Sequence, residues 1–235
     1  MRFIIALFAA SLFVGCSVDT IDDTDVNPDV LWGKYETRFN AQNNNLWFYS
    51  QLRVGGSTGT TVRLTGDAGI TVDGDPLRMV DGDDNPVNLS GTYFTLKGSA
   101  SAPNDSYTFV WTRVDGEQFT NVVTTAKPIA VNAPADGATV SNGQPLTVQW
   151  GEALGAGEYV NAHLDSKVER NTTFKLESVN SGSSVVFSAD DMADFPAGPA
   201  TLHLVRFFEE GVAEGHPEEG GRRVSSYVSE QIELT

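Results

Sequence analysis

The sequence predicts an all-β protein made of two β-sandwiches in tandem, and three observations carry that expectation. Long stretches with apolar residues at helical spacing are missing, whereas short alternating apolar and polar runs recur along the chain. Turn residues punctuate these runs at Asn43-Asn44-Asn45, Gly55-Gly56, Asp73-Gly74 and Asp115-Gly116, the last a strong two-residue hairpin signal. The runs fall into two sets on either side of a break at Ala126-Lys127-Pro128, each about 100 residues long, the size of one sandwich.

Taken in order, the chain opens on the basic Met1-Arg2, and Phe3 to Val14 is then apolar or small apart from Ser11, closing on Gly15-Cys16. This is the layout of a signal peptide over residues 1–15, with an apolar core too short to span a bilayer stably. Residues 16–30 carry five Asp and no base, which predicts an extended, flexible acidic tether. Asp23, Asp25, Asn27 and Asp29 alternate like the front half of a calcium loop. Pro28, however, takes the place of the turn glycine and Lys34 that of the bidentate Glu.

The first sandwich, residues 31–126, is expected from strands at 34–40, 46–54, 60–65, 70–72, 93–97, 106–114 and 119–124. The second, residues 127–235, is expected from 129–132, 146–150, 158–164, 174–179, 184–187, 200–208 and 224–234.

Two stretches carry family resemblances. Leu12-Phe13-Val14-Gly15-Cys16 resembles the lipobox of bacterial lipoproteins, with Phe13 where Leu is usual. The resemblance implies a diacylglycerol on the Cys16 thiol, further acylation such as palmitate, and Cys16 as the mature N-terminus. Acyl chains at about 0.8 kcal/mol per methylene would make such an anchor effectively permanent. Ser17 in place of Asp after the cysteine implies the outer membrane, on its periplasmic or surface-exposed side. In residues 128–235, Ala133-Pro134-Ala135-Asp136-Gly137, Pro145-Leu146-Thr147-Val148-Gln149-Trp150 and Phe195-Pro196-Ala197-Gly198-Pro199 resemble fibronectin type III and immunoglobulin-like modules of bacterial surface proteins. The first half resembles the same immunoglobulin-like class more loosely. Such folds host binding, spacing and structural roles alike.

Composition narrows the function. With 31 Asp+Glu against 15 Lys+Arg the net charge is −16, so nucleic acid is excluded as a partner for want of a basic excess. Residues 31–126 hold 7 basic and 10 acidic groups, whereas residues 127–235 hold 7 and 16. Cys16 is the only cysteine, so no internal disulfide framework exists.

Candidate chemistry is sparse. Gly55-Gly56-Ser57-Thr58-Gly59 fits the G-x-S-x-G formula, but it joins two expected strands rather than a strand and a helix, so it reads as a hairpin loop. His163 alternates outward with Tyr159 and Asp165, and His203 lies in mid-strand. His216 falls in an acidic loop, 209–219, expected to be a solvated hairpin tip. Asp81, Asp83 and Asn85 offer alternate oxygens for a loop calcium ion, although Pro86 and Thr92 break the EF-hand pattern. Strand parity puts Leu46, Phe48, Leu52 and Val54 on one face and Trp47, Tyr49, Gln51 and Arg53 on the other, a candidate ligand face. Tyr107, Phe109, Trp111 and Arg113 form a similar row that either extends this platform or packs the core.

The expectation is therefore a non-catalytic, lipid-anchored envelope protein that binds or spaces a protein or glycan partner. A carbohydrate-binding module using Trp47 and Tyr49 is the alternative, and a hydrolase or metalloenzyme with an unrecognised site is a third.

Overall fold

The computed structural model describes residues 20–81, 91–168 and 174–235. Cys16, Asp83 and Asn85 lie outside the described residues, as does the whole leader. The described chain is almost entirely β, as expected. The first-half strands are β1 (Thr20–Asp22), β2 (Leu31–Asn40), β3 (Asn45–Val54), β4 (Thr60–Arg63), β5 (Gly69–Val72), β6 (Asp75–Pro76), β7 (Arg78–Val80), β8 (Tyr93–Ser99), β9 (Ser106–Thr112) and β10 (Gln118–Thr124). The second half contributes β11 (Leu146–Gln149), β12 (Glu158–Ser166), β13 (Phe174–Val179), β14 (Ser184–Phe187), one short helix α1 (Ala189–Ala193), β15 (Ala200–Gly211), β16 (Gly221–Val228) and β17 (Ile232–Leu234).

Each half packs two sheets around its own apolar core, as a sandwich requires. Tyr35, Phe39, Phe48 and Leu52 meet Ile70, Phe109 and Trp111 in the first. Val160, Leu164, Leu202 and Leu204 meet Val148, Val185 and Phe187 in the second. The row Tyr107, Phe109, Trp111 is thereby core, with Phe48 edge-on to Tyr107 at 4.9 Å.

The two halves are not merely in tandem. One large sheet runs β1-β4-β3-β2-β16-β15-β12-β13 across both, with β8 and β7 continuing beyond β3 and β17 pairing β15. The junction is β16 of the second half lying parallel to β2 of the first, in register from Gly221 opposite Gly33 to Val228 opposite Asn40. A parallel pair needs a long crossover, and here nearly the whole chain separates its strands. The small sheets β10-β9-β5-β6 and β11-β14 cover the same face of the large one, because the core residues of both halves share one parity along β2, β3, β12 and β15.

The junction has a specific steric lock. A Cβ on Gly221 would collide with the Gly33 carbonyl oxygen, and one on Gly33 would overlap the His216 ring. His216 is buried rather than solvated at a loop tip. Its Nδ1–H donates to the Leu31 carbonyl at 2.9 Å, its Nε2 accepts from the Tyr35 hydroxyl at 3.0 Å, and its ring stacks on Trp111 at 5.3 Å. The acidic loop that carries it is pinned to β10. Glu214 accepts from Thr120 N–H, and the Asn121 side chain bridges Ala213 and Glu214. An imidazole with both nitrogens satisfied by chain on three sides is a better partner here than water, which is why charge composition misplaces this segment.

The expected tether is also built in from residue 20 onward. β1 pairs in parallel with β4, Asp22 meets Arg63 at 3.1 Å, and Asp23 accepts from the Thr65 N–H and hydroxyl. Ile21 and Val26 rest on the first core. Asp22 and Asp23 thus have partners on the body, which outweighs the self-repulsion expected to keep this segment extended. The expected strand 224–234 is two, because the Ser229 hydroxyl accepts from Leu204 N–H and donates to the Glu230 carbonyl, turning the chain between β16 and β17.

Gly33→Ala is expected to cost about 3 kcal/mol, the upper range for forcing a methyl into a packed site, while Gly98→Ala on open β8 is neutral or slightly stabilising. Urea denaturation midpoints of the two variants check this. Burial depresses the His216 pKa to about 4, against the smaller opposing pull of the Leu31 carbonyl. Stability is therefore full above about pH 6.5 and falls as pH drops toward 4, because the unfolded chain takes a proton that the folded ring refuses. The loss is about 3 kcal/mol. The pH slope of unfolding free energy should be shallower in His216→Gln by that amount, and equal slopes would refute it.

Candidate ligand-binding face

With both small sheets on one side, the large sheet presents its other face outward. β3 places Trp47, Tyr49, Gln51 and Arg53 there, as parity predicts, yet the structure gives the four different roles. Trp47 is 43% exposed, the most exposed tryptophan among the described residues. Its indole N–H donates to the Thr95 hydroxyl at 2.9 Å, and that hydroxyl in turn donates to the Phe48 carbonyl, so the ring is held at a fixed tilt. Tyr49 is half-buried, stacked on Tyr93 at 5.3 Å with the Lys34 ammonium 5.1 Å from its centroid. Burial pushes its hydroxyl pKa up to about 12 against the charge of Arg53. Gln51 is buried and donates to the Thr92 carbonyl. Arg53 donates to Gln51 and to the Gly59 carbonyl at 2.7 Å. Gln51 and Arg53 therefore shape the sheet and its hairpin, and the exposed part of the face is Trp47 with Tyr49.

Register supplies the neighbours that parity on one strand does not show. Trp47 lies opposite Arg38 of β2 on one side and Lys97 of β8 on the other, in one row across the strands. Tyr49 lies in the next row, between Glu36 and Thr95, with Arg78 of β7 beyond Thr95. Lys97 sits 4.3 Å from the Trp47 ring centroid. Glu36, Arg38, Trp47 and Tyr49 line a shallow depression of about 130 Å³.

The face continues into the second half. Tyr159 stacks on Phe207 at 4.5 Å and His163 on His203 at 4.7 Å, each pair nearly parallel. His163 points outward between buried Ala162 and Leu164, as its alternation predicts. Burial lowers both histidine pKa values, with the Arg38 charge adding to the effect, so both rings are neutral at pH 7. Asp165 lies 3.8 Å from His203 Nδ1. Among the described residues no cluster of three His, Cys, Asp or Glu is placed to hold a metal ion.

The remaining candidates serve the fold. Both carboxylate oxygens of Asp81 accept from Arg63, at 2.6 and 3.0 Å, and Thr92 donates to it as well. Ser57 lies in the loop joining β3 to β4, where Gly55 and Gly56 both take positive φ and Gly59 N–H donates to Gly56. Larger clefts, of about 400 and 370 Å³, flank the linker near Pro128 on the covered side. Charged residues on their walls pair with one another, Arg206 with Glu158 at 2.6 Å and Lys127 with Glu152 at 3.6 Å, and Asp105 also lines the first. Burial tends to raise the Glu158 carboxyl, but hydrogen bonds from Arg206 and Gly155 and the Arg206 charge outweigh it and keep the group ionised.

No protein-family model and no curated protein matches the chain. Among solved structures, it is similar to a chain of a cytokine receptor complex at 10% identity, covering 83% of this chain and 97% of that one with a TM-score of 0.28. It is similar also to the Bacteroides ovatus mixed-linkage glucan utilization locus protein SGBP-B, solved with a mixed-linkage heptasaccharide, at 10% identity, 83% and 53% coverage and a TM-score of 0.23. A 1.5-MDa bacterial ice-binding adhesin matches at 15% identity, 88% and 65% coverage and a TM-score of 0.22. Overlaps of this size fall below a shared topology and do not bear on what this chain binds.

Proposed function

We propose that this is a non-catalytic binding protein of the bacterial cell envelope, anchored through lipid on Cys16, whose ligand face is the open side of the shared sheet and whose ligand is a carbohydrate. The observation that carries the reading is the placement of Trp47. Trp47 is 43% exposed and lines, with Tyr49, a shallow depression that also holds Glu36 and Arg38, the combination of aromatic surface and a few polar groups that suits a ligand. The indole is oriented by a hydrogen bond through Thr95 and bordered by Tyr49, both favourable for stacking against the apolar face of a pyranose ring.

Glu36 and Arg38, which line the same depression, offer an acceptor and donors for the hydroxyls of such a ring. The groups that composition offers for catalysis are used structurally instead. His216 closes the junction, Asp81 holds Arg63, and Ser57 sits in a glycine hairpin. The lipid anchor rests on the lipobox-like run before Cys16, and outer-membrane localisation on Ser17.

Purified full-length protein and its Trp47→Ala variant are to be compared on a panel of polysaccharides by affinity electrophoresis and calorimetry. Removing a central aromatic anchor typically costs about 2 kcal/mol, so the variant should bind about 30-fold more weakly while melting at an unchanged temperature. Glycan binding unaffected by the substitution would move the ligand off this face. Protein capture from envelope extract, with every glycan silent, would replace the carbohydrate reading with a protein-binding one. Separately, Cys16→Ser should abolish labelling by radioactive palmitate and release the protein from the membrane fraction, and retention of both would refute the anchor.

A further inference from the structure

The face described above carries more than aromatic rings. Six of the 7 basic residues in the first half point to it: Lys34, Arg38, Arg53, Arg63, Arg78 and Lys97. This clustering occurs in a chain whose net charge is −16, where acids to pair with are plentiful. Three of the six are spoken for, since Lys34 pairs with Glu36, Arg53 holds the hairpin, and Arg63 binds Asp22 and Asp81. Arg38, Arg78 and Lys97 have no carboxylate within ion-pair distance among the described residues, and all three are exposed. Two of them flank Trp47 directly in the row Arg38–Trp47–Lys97, and Arg78 lies one row along.

Adjacent strands stand about 4.8 Å apart, so the backbones of Arg38 and Lys97 lie about 10 Å apart across Trp47, with the Lys97 ammonium over one face of the indole, where it can pair with an anionic substituent of a ring bound beside it. We infer that the ligand of this face is an anionic polysaccharide, recognised by a sugar ring on Trp47 and by its carboxylate or sulfate groups on Arg38 and Lys97, with Arg78 taking the next charge along the chain. This rests on the proposed glycan-binding reading and specifies its substrate class. Charge complementarity is what selects the occupant. Unpaired cations held over an aromatic face in a protein otherwise acidic repel cations and attract anions locally. The strongly acidic remainder of the surface opposes non-specific anion binding, so affinity is confined to this patch.

The test uses the full-length protein against polygalacturonate and alginate as carboxylate probes, carrageenan and dextran sulfate as sulfate probes, and dextran and mixed-linkage glucan as neutral ones. The expected result is binding of at least one anionic class and weak or no binding of the neutral pair, with affinity falling steeply as salt shrinks the screening length from about 10 Å at 0.1 M to about 3 Å at 1 M. Arg38→Gln and Lys97→Gln should each lose about tenfold, the double variant about 100-fold, and Arg38→Lys should retain most of the affinity. All are exposed positions, and unchanged melting temperatures confirm the fold.

Response to uronate alone or to sulfate alone identifies which group the pair reads, and either supports the inference. Anionic binding that survives the double variant, or is insensitive to salt, overturns it. Neutral glycans bound through Trp47 with anionic ones rejected would overturn the anionic ligand while leaving the glycan-binding reading intact. Silence of all six probes would overturn both.

Discussion

The structure turns on one packed contact, the facing glycines Gly33 and Gly221 where β2 and β16 begin their parallel run. Two chain segments far apart in sequence meet here because Gly221 carries no Cβ to strike the Gly33 backbone, and Gly33 none to strike the His216 ring. His216 fills the space that the missing Gly33 side chain leaves, tied to Leu31 and Tyr35 and backed by Trp111. The interlock is tight and directional, so it fixes the register of the whole junction, and a slip by one residue would turn every side chain of β16 to the wrong face.

From that junction follows the layered shape. Once β2 and β16 pair, the two sandwiches share a sheet, and their smaller sheets have to lie on the side where both cores point. The opposite side carries no second sheet among the described residues, although Val205, Val224, Ser226 and Val228 on it are buried. An open face of this extent is normally a liability to be blunted with charge, and here the face carries both charge and exposed aromatic surface. The junction thus shapes the face that carries Trp47, and Glu36 and Arg38 of β2 belong to both.

The same arrangement explains why charge is distributed as it is. Acids dominate the loops and the second half, where they pair with one another's counter-charges or with backbone N–H groups, as Glu214 does at Thr120 and Asp73 at Thr108. The cations of the first half are drawn instead to the outward parity of β2, β3, β7 and β8. Some brace the sheet edge and others stand unpaired beside Trp47. Local attraction coexists with overall repulsion because the screening length at physiological salt, about 8 Å, is short compared with the molecule.

Alternation along each strand determined the β class and the outward placement of Trp47, Tyr49 and His163, because side-chain direction in a strand has period two and depends on sequence alone. It could not determine who lies beside whom. That Arg38 and Lys97 flank Trp47, that Gln51 and Arg53 are consumed internally, that Asp22 and Asp23 dock on the body, and that His216 plugs the Gly33 gap are all facts of register and of contacts, some local, as from Arg53 to Gly59, and some spanning 185 positions, as from His216 to Leu31. Such contacts are set by packing, in which buried polar groups find whichever partners satisfy them, and the period of a single strand does not name the partner.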